Sequence, residues 1–356
     1  MATLQDIADV VGVSSVTVSK VLRGKIKGSW PRSAAQAERI REVADQLGYR
    51  VDWRARALKN KRTNMIGLLS TDKVETRSYD FRLLEGLNET FADKDYNLVF
   101  VRARQDSNGH DFADSRFDGL VIDYHIEPEE IRIIQRAKLP AVIINAPSHD
   151  GITSVMPDHR VAGRLAAQHL LDLGHRRIAL VQQATNQQSV WPQHMYQLWR
   201  EGILDAMKDA GLDTGQEYTD IIPDFIDPAK DKHAYAASLA AFLEKPNRPT
   251  GVIVHNPEYT VEFVLQNLES LGLRCPDDLS VIAMSDEMQL GWTTPGVTAV
   301  RLPYRELGIR AAQVLVNKIE ANRDDDASDQ TENVDDVEIK LIVRDSTSPP
   351  PKVPGG

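Results

Sequence analysis

The chain has 356 residues, a formal net charge of −10 and a single cysteine, Cys275. That length suffices for two or three domains. One cysteine excludes an intrachain disulfide, the polar N-terminus lacks the charged-then-apolar pattern of a secretory leader, and no apolar run approaches the roughly 20 residues of a membrane span, which together point to the cytoplasm.

The charge is unevenly placed. Residues 1–66 hold 5 Lys and 8 Arg against 6 acidic residues, or +7, which leaves −17 on the other 290. A basic head on an acidic body points to a polyanion partner for the head alone.

The first two elements read as helix, glycine turn, helix. Thr3 can cap the first helix, with Asp6 three residues on as in a capping box. Ile7, Ala8 and Val11 form one apolar face at helical spacing. Ala8 and Gly12 are small where the two helices are expected to cross. Ser14 or Ser15 caps the second helix, and Val18, Val21 and Leu22 point back at the first. Ser15, Val16, Thr17, Ser19 and Lys20 are left facing outward, and a short helix with that face suits the major groove. Ser15, Val16 and Lys20 are the expected base-reading residues; Ser14, Thr17, Ser19 and Arg23 are expected at phosphates. The loop from Gly24 to Ser33 carries Lys25, Lys27, Trp30 and Arg32, either as further phosphate contacts or as a longer turn. A third helix follows, capped by Ser33, striped by Ile40, Val43, Ala44 and Leu47, and ended by Gly48. Residues 1–50 thus form an all-α helix-turn-helix DNA-binding domain.

Residues 51–64 are a short basic linker. A helix this short is marginal alone, but paired with its symmetry mate on DNA it can order. Leu58 is then an apolar wedge for the minor groove and Ala55 packs close to the backbone. The other reading is an ordinary interdomain tether.

Residues 65–346 alternate short apolar runs with helical patterns, the mark of parallel sheets flanked by helices. Strands are expected at 65–70, 97–103, 119–124, 141–146, 178–182, 251–255 and 280–284. Helices are expected at 80–94, 129–138, 160–173, 197–210, 232–244, 259–271 and 304–321. Two such sets predict two similar lobes. Ligands of open α/β sheets sit beyond the carboxyl ends of the strands, so the cleft between lobes is the natural site. Asn145 ends one strand, Asn256 follows another, and Asp158 opens the helix at 160; each could equally be a capping or loop residue.

The head, Leu47-Gly48-Tyr49, the linker and Met65-Ile66-Gly67-Leu68-Leu69 together resemble the lactose/galactose-repressor family of bacterial transcription regulators. The resemblance continues through Phe117-Asp118-Gly119-Leu120-Val121-Ile122, Asp158-His159-Arg160-Val161-Ala162-Gly163, and Leu173-Gly174-His175-Arg176-Arg177-Ile178-Ala179. It resumes at Leu271–Ile282, Thr298-Ala299-Val300-Arg301 and Val343-Arg344-Asp345-Ser346-Thr347, the last matching the family's final strand. It implies a periplasmic-binding-protein-like core of two doubly wound parallel-sheet lobes, joined by three crossovers and behind a helix-turn-helix head. It also implies a homodimer on a near-palindromic double-stranded operator, controlled by a small-molecule effector such as a sugar.

By the same resemblance Tyr79 falls where the family carries an aromatic in its Asn-Pro-Phe-Phe segment, and Asn256 where an Asn touches the effector. Two positions depart from the pattern. Trp199 stands where the family has an effector-gripping Arg, and Ser285 where it has an effector-binding Asp. Losing a cation and a carboxylate removes the strongest charge-assisted bonds available to a ligand. Trp199, with Trp191, either stacks on a ligand ring or fills the space and closes the pocket. An alternative to sugar control is therefore a DNA-binding regulator whose effector pocket is altered or lost.

Residues Gln105–Ser115 are too short for the usual second crossover helix. Thirteen residues from Asp324 to Asp336, seven of them acidic, read as a solvated loop before a last strand at 337–344. Residues 347–356 read as a disordered Pro-rich tail, with no leucine heptads beyond it. The chain carries no Gly-x-Gly-x-x-Gly, no Walker loop, no Gly-x-Ser-x-Gly and no His-Glu-x-x-His. No catalytic, metal or cofactor site is expected, and His175 is expected to be structural.

Overall fold

The computed structural model describes residues 2–22, 31–50, 57, 62–71, 81–103, 112, 116–123, 126–148, 151–182, 191–221, 237, 240–245, 247–255, 264–321, 332–333 and 338–351. The chain divides into two units, Met1–Thr63 and Asn64–Gly356.

The first unit holds α1 (Leu4–Val11), α2 (Ser15–Leu22) and α3 (Pro31–Gln46). Thr3 and Asp6 form the expected reciprocal capping box on α1. Its core is Ile7, Ala8, Val18, Val21, Ala37, Ile40, Val43 and Ala44. Two expectations are corrected. Gly12 has φ +75 and nothing within 4 Å of a Cβ added there, so it is required by its left-handed conformation and not by a close helix crossing. Leu47 is 41% exposed, and Tyr49 packs on the core instead. Gly48, at φ +62, lets the Tyr49 amide donate back to Ala44 and swings the chain so that position 49, not 47, faces inward. Helix α3 begins at Pro31, two residues before the expected cap Ser33.

The second unit is built on two six-stranded sheets. The first contains β1 (Met65–Thr71), β2 (Asn97–Ala103), β3 (Gly119–Asp123), β4 (Ala141–Ile144), β5 (Thr153–Met156) and β11 (Glu332–Asn333). The second contains β6 (Ile178–Val181), β7 (Tyr218–Ile221), β8 (Gly251–Val254), β9 (Ser280–Ala283), β10 (Thr298–Arg301) and β12 (Lys340–Ile342). Their orders are β11-β5-β4-β3-β1-β2 and β12-β10-β9-β8-β6-β7. Within each lobe the first five strands therefore follow one doubly wound plan, second-first-third-fourth-fifth. Every described pairing is parallel except β10 with β12. Strands β3, β4, β6, β8 and β9 are buried at every position, as apolar runs covered on both faces must be.

Between β1 and β2 lies α4 (Phe81–Asp93), and between β3 and β4 lies α5 (Pro128–Arg136). Then come α6 (His159–Asp172), α7 (Trp191–Asp209), the short α8 (Thr214–Glu217), α9 (Gln266–Ser270) and α10 (Tyr304–Ala321). The lobes exchange helices. Helix α6 follows β5 of the first sheet yet packs on α7 of the second lobe, and α10 follows β10 of the second sheet yet packs on α4 of the first. Each helix pair crosses at two glycines where backbones touch. A Cβ on Gly163 would lie 2.2 Å from the Trp199 carbonyl oxygen, and one on Gly86 would lie 2.0 Å from that of Arg305. The chain thus passes between lobes after Met156, after Arg301 and between Asn333 and Lys340, giving the three crossovers.

Several sequence readings need correction here. Strands β5 and β7 were not foreseen, being four residues each with threonine or aspartate inside them. Within the stretch read as a solvated acidic loop, Glu332 and Asn333 pair with Val155 and Met156 at the edge of the first sheet. The last strand is Lys340–Ile342, and Val343–Thr347 lies beyond it. The tail residues next to it are held in place. Ser348 exchanges hydrogen bonds with the Ser280 hydroxyl, and its carbonyl lies 2.8 Å from His175 Nε2. His175 also meets Thr250 Oγ1 at 2.9 Å, a structural role. Most of the expected helix at 232–244 and of Gln105–Ser115, and the first five residues of the helix expected at 259–271, lie outside the described residues; the helix observed in the last stretch is Gln266–Ser270.

Candidate functional site

The head presents one face of α2. Ser14 precedes the helix and accepts from the Thr17 amide at 3.2 Å, while the two hydroxyls share a 2.8 Å hydrogen bond. Ser14 is therefore the cap, and Thr17 is tied to it. Val18 and Val21 are buried in the head core. Val16 is 61% exposed, Lys20 is exposed one turn later, and Ser15 and Ser19 are half-buried on the flank. Val16 and Lys20 stand side by side at i, i+4. Arg23, Ala55 and Leu58 lie outside the described residues.

In the second unit the strand-end rule places residues on both lobes. From the first lobe, Asp123 ends β3 and Asn145 follows β4. Asn145 is 1% exposed, has φ +55, and donates from Nδ2 toward Asp123 Oδ1 at 3.5 Å; its Oδ1 is buried without a hydrogen-bond partner. Burial, opposed only by the Asn145 hydrogen bond, pushes the Asp123 carboxyl up to about 8. It is thus neutral at pH 7.

From the second lobe, Trp199 on α7 is 2% exposed and has an indole N–H without a partner. Its ring packs against His159 at 5.5 Å, Tyr196 at 5.7 Å and His255 at 6.4 Å. His255 follows β8 and stands edge-on to Tyr196 at 5.0 Å. Burial lowers both His159 and His255 to about 3, so both rings are neutral. Neither nitrogen of His159 has a hydrogen-bond partner. Of the two roles foreseen for Trp199, the structure places the ring in the filled cluster. That cluster is continuous with the first lobe: Tyr196 and Trp199 share a buried apolar core with Val121 and Ile144, while Met195 also packs on the group containing Ile122 and Ala146.

Asp158 is exposed and accepts from the Val161 amide at 2.9 Å, so its carboxylate caps α6. Ser285 is half-buried after β9. Its neighbour Asp286, absent from the sequence reading, is buried and clamped by Arg301 at 2.6 Å and Arg344 at 2.6 Å. Arg82, in the first turn of α4, donates from Nη2 to the Asp286 carbonyl at 2.8 Å and so links the lobes. Tyr79 and Asn256, and the side chain of Trp191, lie outside the described residues. The sequence reading missed Asp123 and His255, although the rule that selected Asn145 also points to both. Asp286 carried no local signal, since its partners lie 15 and 58 residues away.

Among the described residues no group of three or more His, Cys, Asp or Glu is placed to hold a metal ion. No described helix is long and apolar enough to cross a membrane.

Residues 3–52 match the family described as bacterial regulatory proteins, lacI family. Residues 167–347 match a periplasmic binding protein-like domain. The chain is 30% identical over 329 residues to the ribose operon repressor of Escherichia coli (strain K12), covering 90% of this chain and 93% of that protein. It is 27% identical over 327 residues to the probable HTH-type transcriptional repressor ExuR of Bacillus subtilis (strain 168), covering 90% and 92%. Its fold is similar to a crystal structure of the lac repressor dimer bound to operator and the anti-inducer ONPF, with TM-score 0.74 and 20% identity over 98% of this chain and 99% of that one. A helix-turn-helix head with an outward-facing α2, a body of two doubly wound lobes and a relative at this identity over nearly the whole length place the chain in the lacI family of bacterial transcription regulators.

Proposed function

We propose that two copies of this chain grip a near-palindromic operator in the cytoplasm and repress transcription, with a small uncharged metabolite between the lobes setting operator affinity. The observation that carries the DNA half is the face of α2. A valine 61% exposed beside an exposed lysine is costly in water and useful against a thymine methyl and a guanine edge. Ser15 and Ser19 flank that pair, and Ser14, Thr17 and Arg23 are assigned to phosphates. Residues 51–64 act as the hinge, with Leu58 wedged in the minor groove and Ala55 against its wall.

The effector half rests on strand-end groups from both lobes. Asn145, Asp123 and, from α7, Trp199 are assigned to it, with Tyr79, Asn256 and Ser285 beside them; Asp158 is left to its helix cap. A ligand that prefers one lobe arrangement shifts the linkers and hence DNA affinity, and a coupling of ~1–3 kcal/mol changes that affinity about 5–150-fold. The packed ring of Trp199 favours a second reading, in which the pocket is closed and the protein binds its operator without small-molecule control. Selection of genomic fragments by the purified full-length chain at moderate salt tests the assignment. A near-palindromic consensus is expected, and Leu58→Ala should weaken that site much more than random DNA. Recovery of no preferred sequence, with or without metabolites, would sink it.

A further inference from the structure

We propose that Asp123 is the specificity-determining residue of the first-lobe half of the cleft. With Asn145 it forms an acid–amide pair that receives a ligand edge bearing an adjacent donor and acceptor, as neighbouring hydroxyls or a lactam do, and that rejects anions. This deepens the effector reading and rests on it.

Asp123 and Asn145 sit at the carboxyl ends of adjacent strands, are 4% and 1% exposed, and share one long hydrogen bond of 3.5 Å. That bond uses one amide hydrogen of Asn145. Its oxygen remains an unpartnered buried acceptor, and Asn145 is held there by a left-handed backbone at φ +55 that few side chains adopt. A buried polar atom left unmade costs free energy that a bound partner restores.

Among the described residues nothing around Asp123 supplies a counter-charge. The flanking strands β1 and β4 read Met-Ile-Gly-Leu-Leu-Ser-Thr and Ala-Val-Ile-Ile. Helix α5 turns Ile131 and Ile134 inward and leaves the Glu129–Arg132 pair exposed. Helix α10 presents Leu315 and Ile319 to the start of β3. Tyr124 and His125, next in sequence, and residues 72–80, which follow β1, lie outside the described residues. Across the cleft, His159 and His255 are neutral, and Trp199 occupies the position where the family pattern has a cation. The carboxyl accordingly holds its proton near neutrality, ionising at about 8. A protonated acid donates from its hydroxyl while Asn145 Oδ1 accepts, so the pair reads an edge with one acceptor and one donor. Among the described residues an anion finds no cation here, and it brings an uncompensated charge into an apolar site.

The test is calorimetric titration of the full-length chain with D-ribose, D-galactose and hypoxanthine. Each is paired with an anionic counterpart: ribose 5-phosphate, galacturonate and inosine monophosphate. A neutral probe is expected to bind, with its anionic counterpart weaker by about a hundredfold or more. The neutral probe's affinity should fall about tenfold per pH unit above about 8. Asp123→Asn keeps the shape and a donor. It should retain binding within a few-fold (roughly the cost of one altered neutral hydrogen bond) and flatten the pH profile, whereas Asp123→Leu should abolish binding in a protein that still melts cooperatively. An anionic probe binding as tightly as its neutral counterpart, or affinity rising with pH, overturns the assignment. A neutral probe that binds with a flat wild-type profile removes the role of Asp123 and leaves effector control standing. Silence from every probe, with operator affinity unmoved by all of them, overturns the effector reading and this assignment with it.

Discussion

Substituting Gly163 by alanine tests whether the second lobe is held by backbone contact between α6 and α7. The added Cβ would stand 2.2 Å from the Trp199 carbonyl oxygen and 2.8 Å from its carbonyl carbon and Cα. Ordinary carbon–oxygen contact begins near 3.2 Å, so the helices must separate by about 1 Å at the crossing. The obstacle is main chain, which cannot rotate away as a side chain would. Overpacking costs about 1–3 kcal/mol, and an obstacle of main chain puts this case at the upper end, about 3 kcal/mol. Alanine recovers roughly 1 kcal/mol through its better helix propensity, leaving a net loss of about 2 kcal/mol. For a unit of this size that lowers Tm by about 4–8 °C. Differential scanning calorimetry of the full-length chain measures it, with Gly291→Ala as control, because a Cβ there meets only the Arg344 guanidinium at 3.7 Å. Truncating Trp199 in the Gly163→Ala background should give no rescue, since the indole is not what the methyl strikes. Gly202→Ala, which faces the Arg160 carbonyl at 1.9 Å, should act alike, and the double variant should cost less than the two losses added, because both widen one crossing. An unchanged or higher Tm for Gly163→Ala would refute the interlock.

Lys20→Ala should relax preference at one operator position, costing about 1–3 kcal/mol against the favoured base; a selection experiment returning the wild-type consensus would move base reading elsewhere. Asp286→Asn leaves Arg301 and Arg344 facing a neutral amide and should cost about 2–4 kcal/mol, below the full buried-pair figure because Arg301 is half exposed; a denaturant midpoint equal to wild type would show the clamp to be idle. His159 and His255 are held near 3 in the fold but titrate near 6.5 when unfolded, so the unfolded chain binds more protons between those values. Stability should therefore decline as pH falls from about 6.5 toward 3, and His159→Phe should make that decline shallower in chemical denaturation. Asp123 runs the other way. Its carboxyl ionises near 4 when unfolded and at about 8 in the fold, so its contribution is complete below pH 4 and lost as pH rises through 8. Asp123→Asn should gain stability over wild type between pH 5 and 8, and no gain would mean that the carboxyl is solvated.

Much of this protein was legible from local pattern. The Thr3–Asp6 box, the buried Val18 and Val21 against the outward Val16 and Lys20, and the strands at 65, 97, 119, 141, 178, 251 and 280 all follow from period and capping, which are set by residues a few places apart. The doubled α/β alternation also fixed two lobes and a cleft at their strand ends, and hence Asn145. Tertiary structure decided what surrounds Trp199 and what ties the lobes. Trp199 looked equally able to stack on a ligand or to occupy the space, and only the meeting of α6, α7 and β8 put His159, Tyr196 and His255 around it. The Asp286 clamp, the helices traded between lobes, the edge pairing of Glu332 and Asn333, and the docking of Ser348 on Ser280 join residues far apart in the chain. Such partners are chosen by which element ends arrive together in space, and the spacing of residues along any one element carries no record of that.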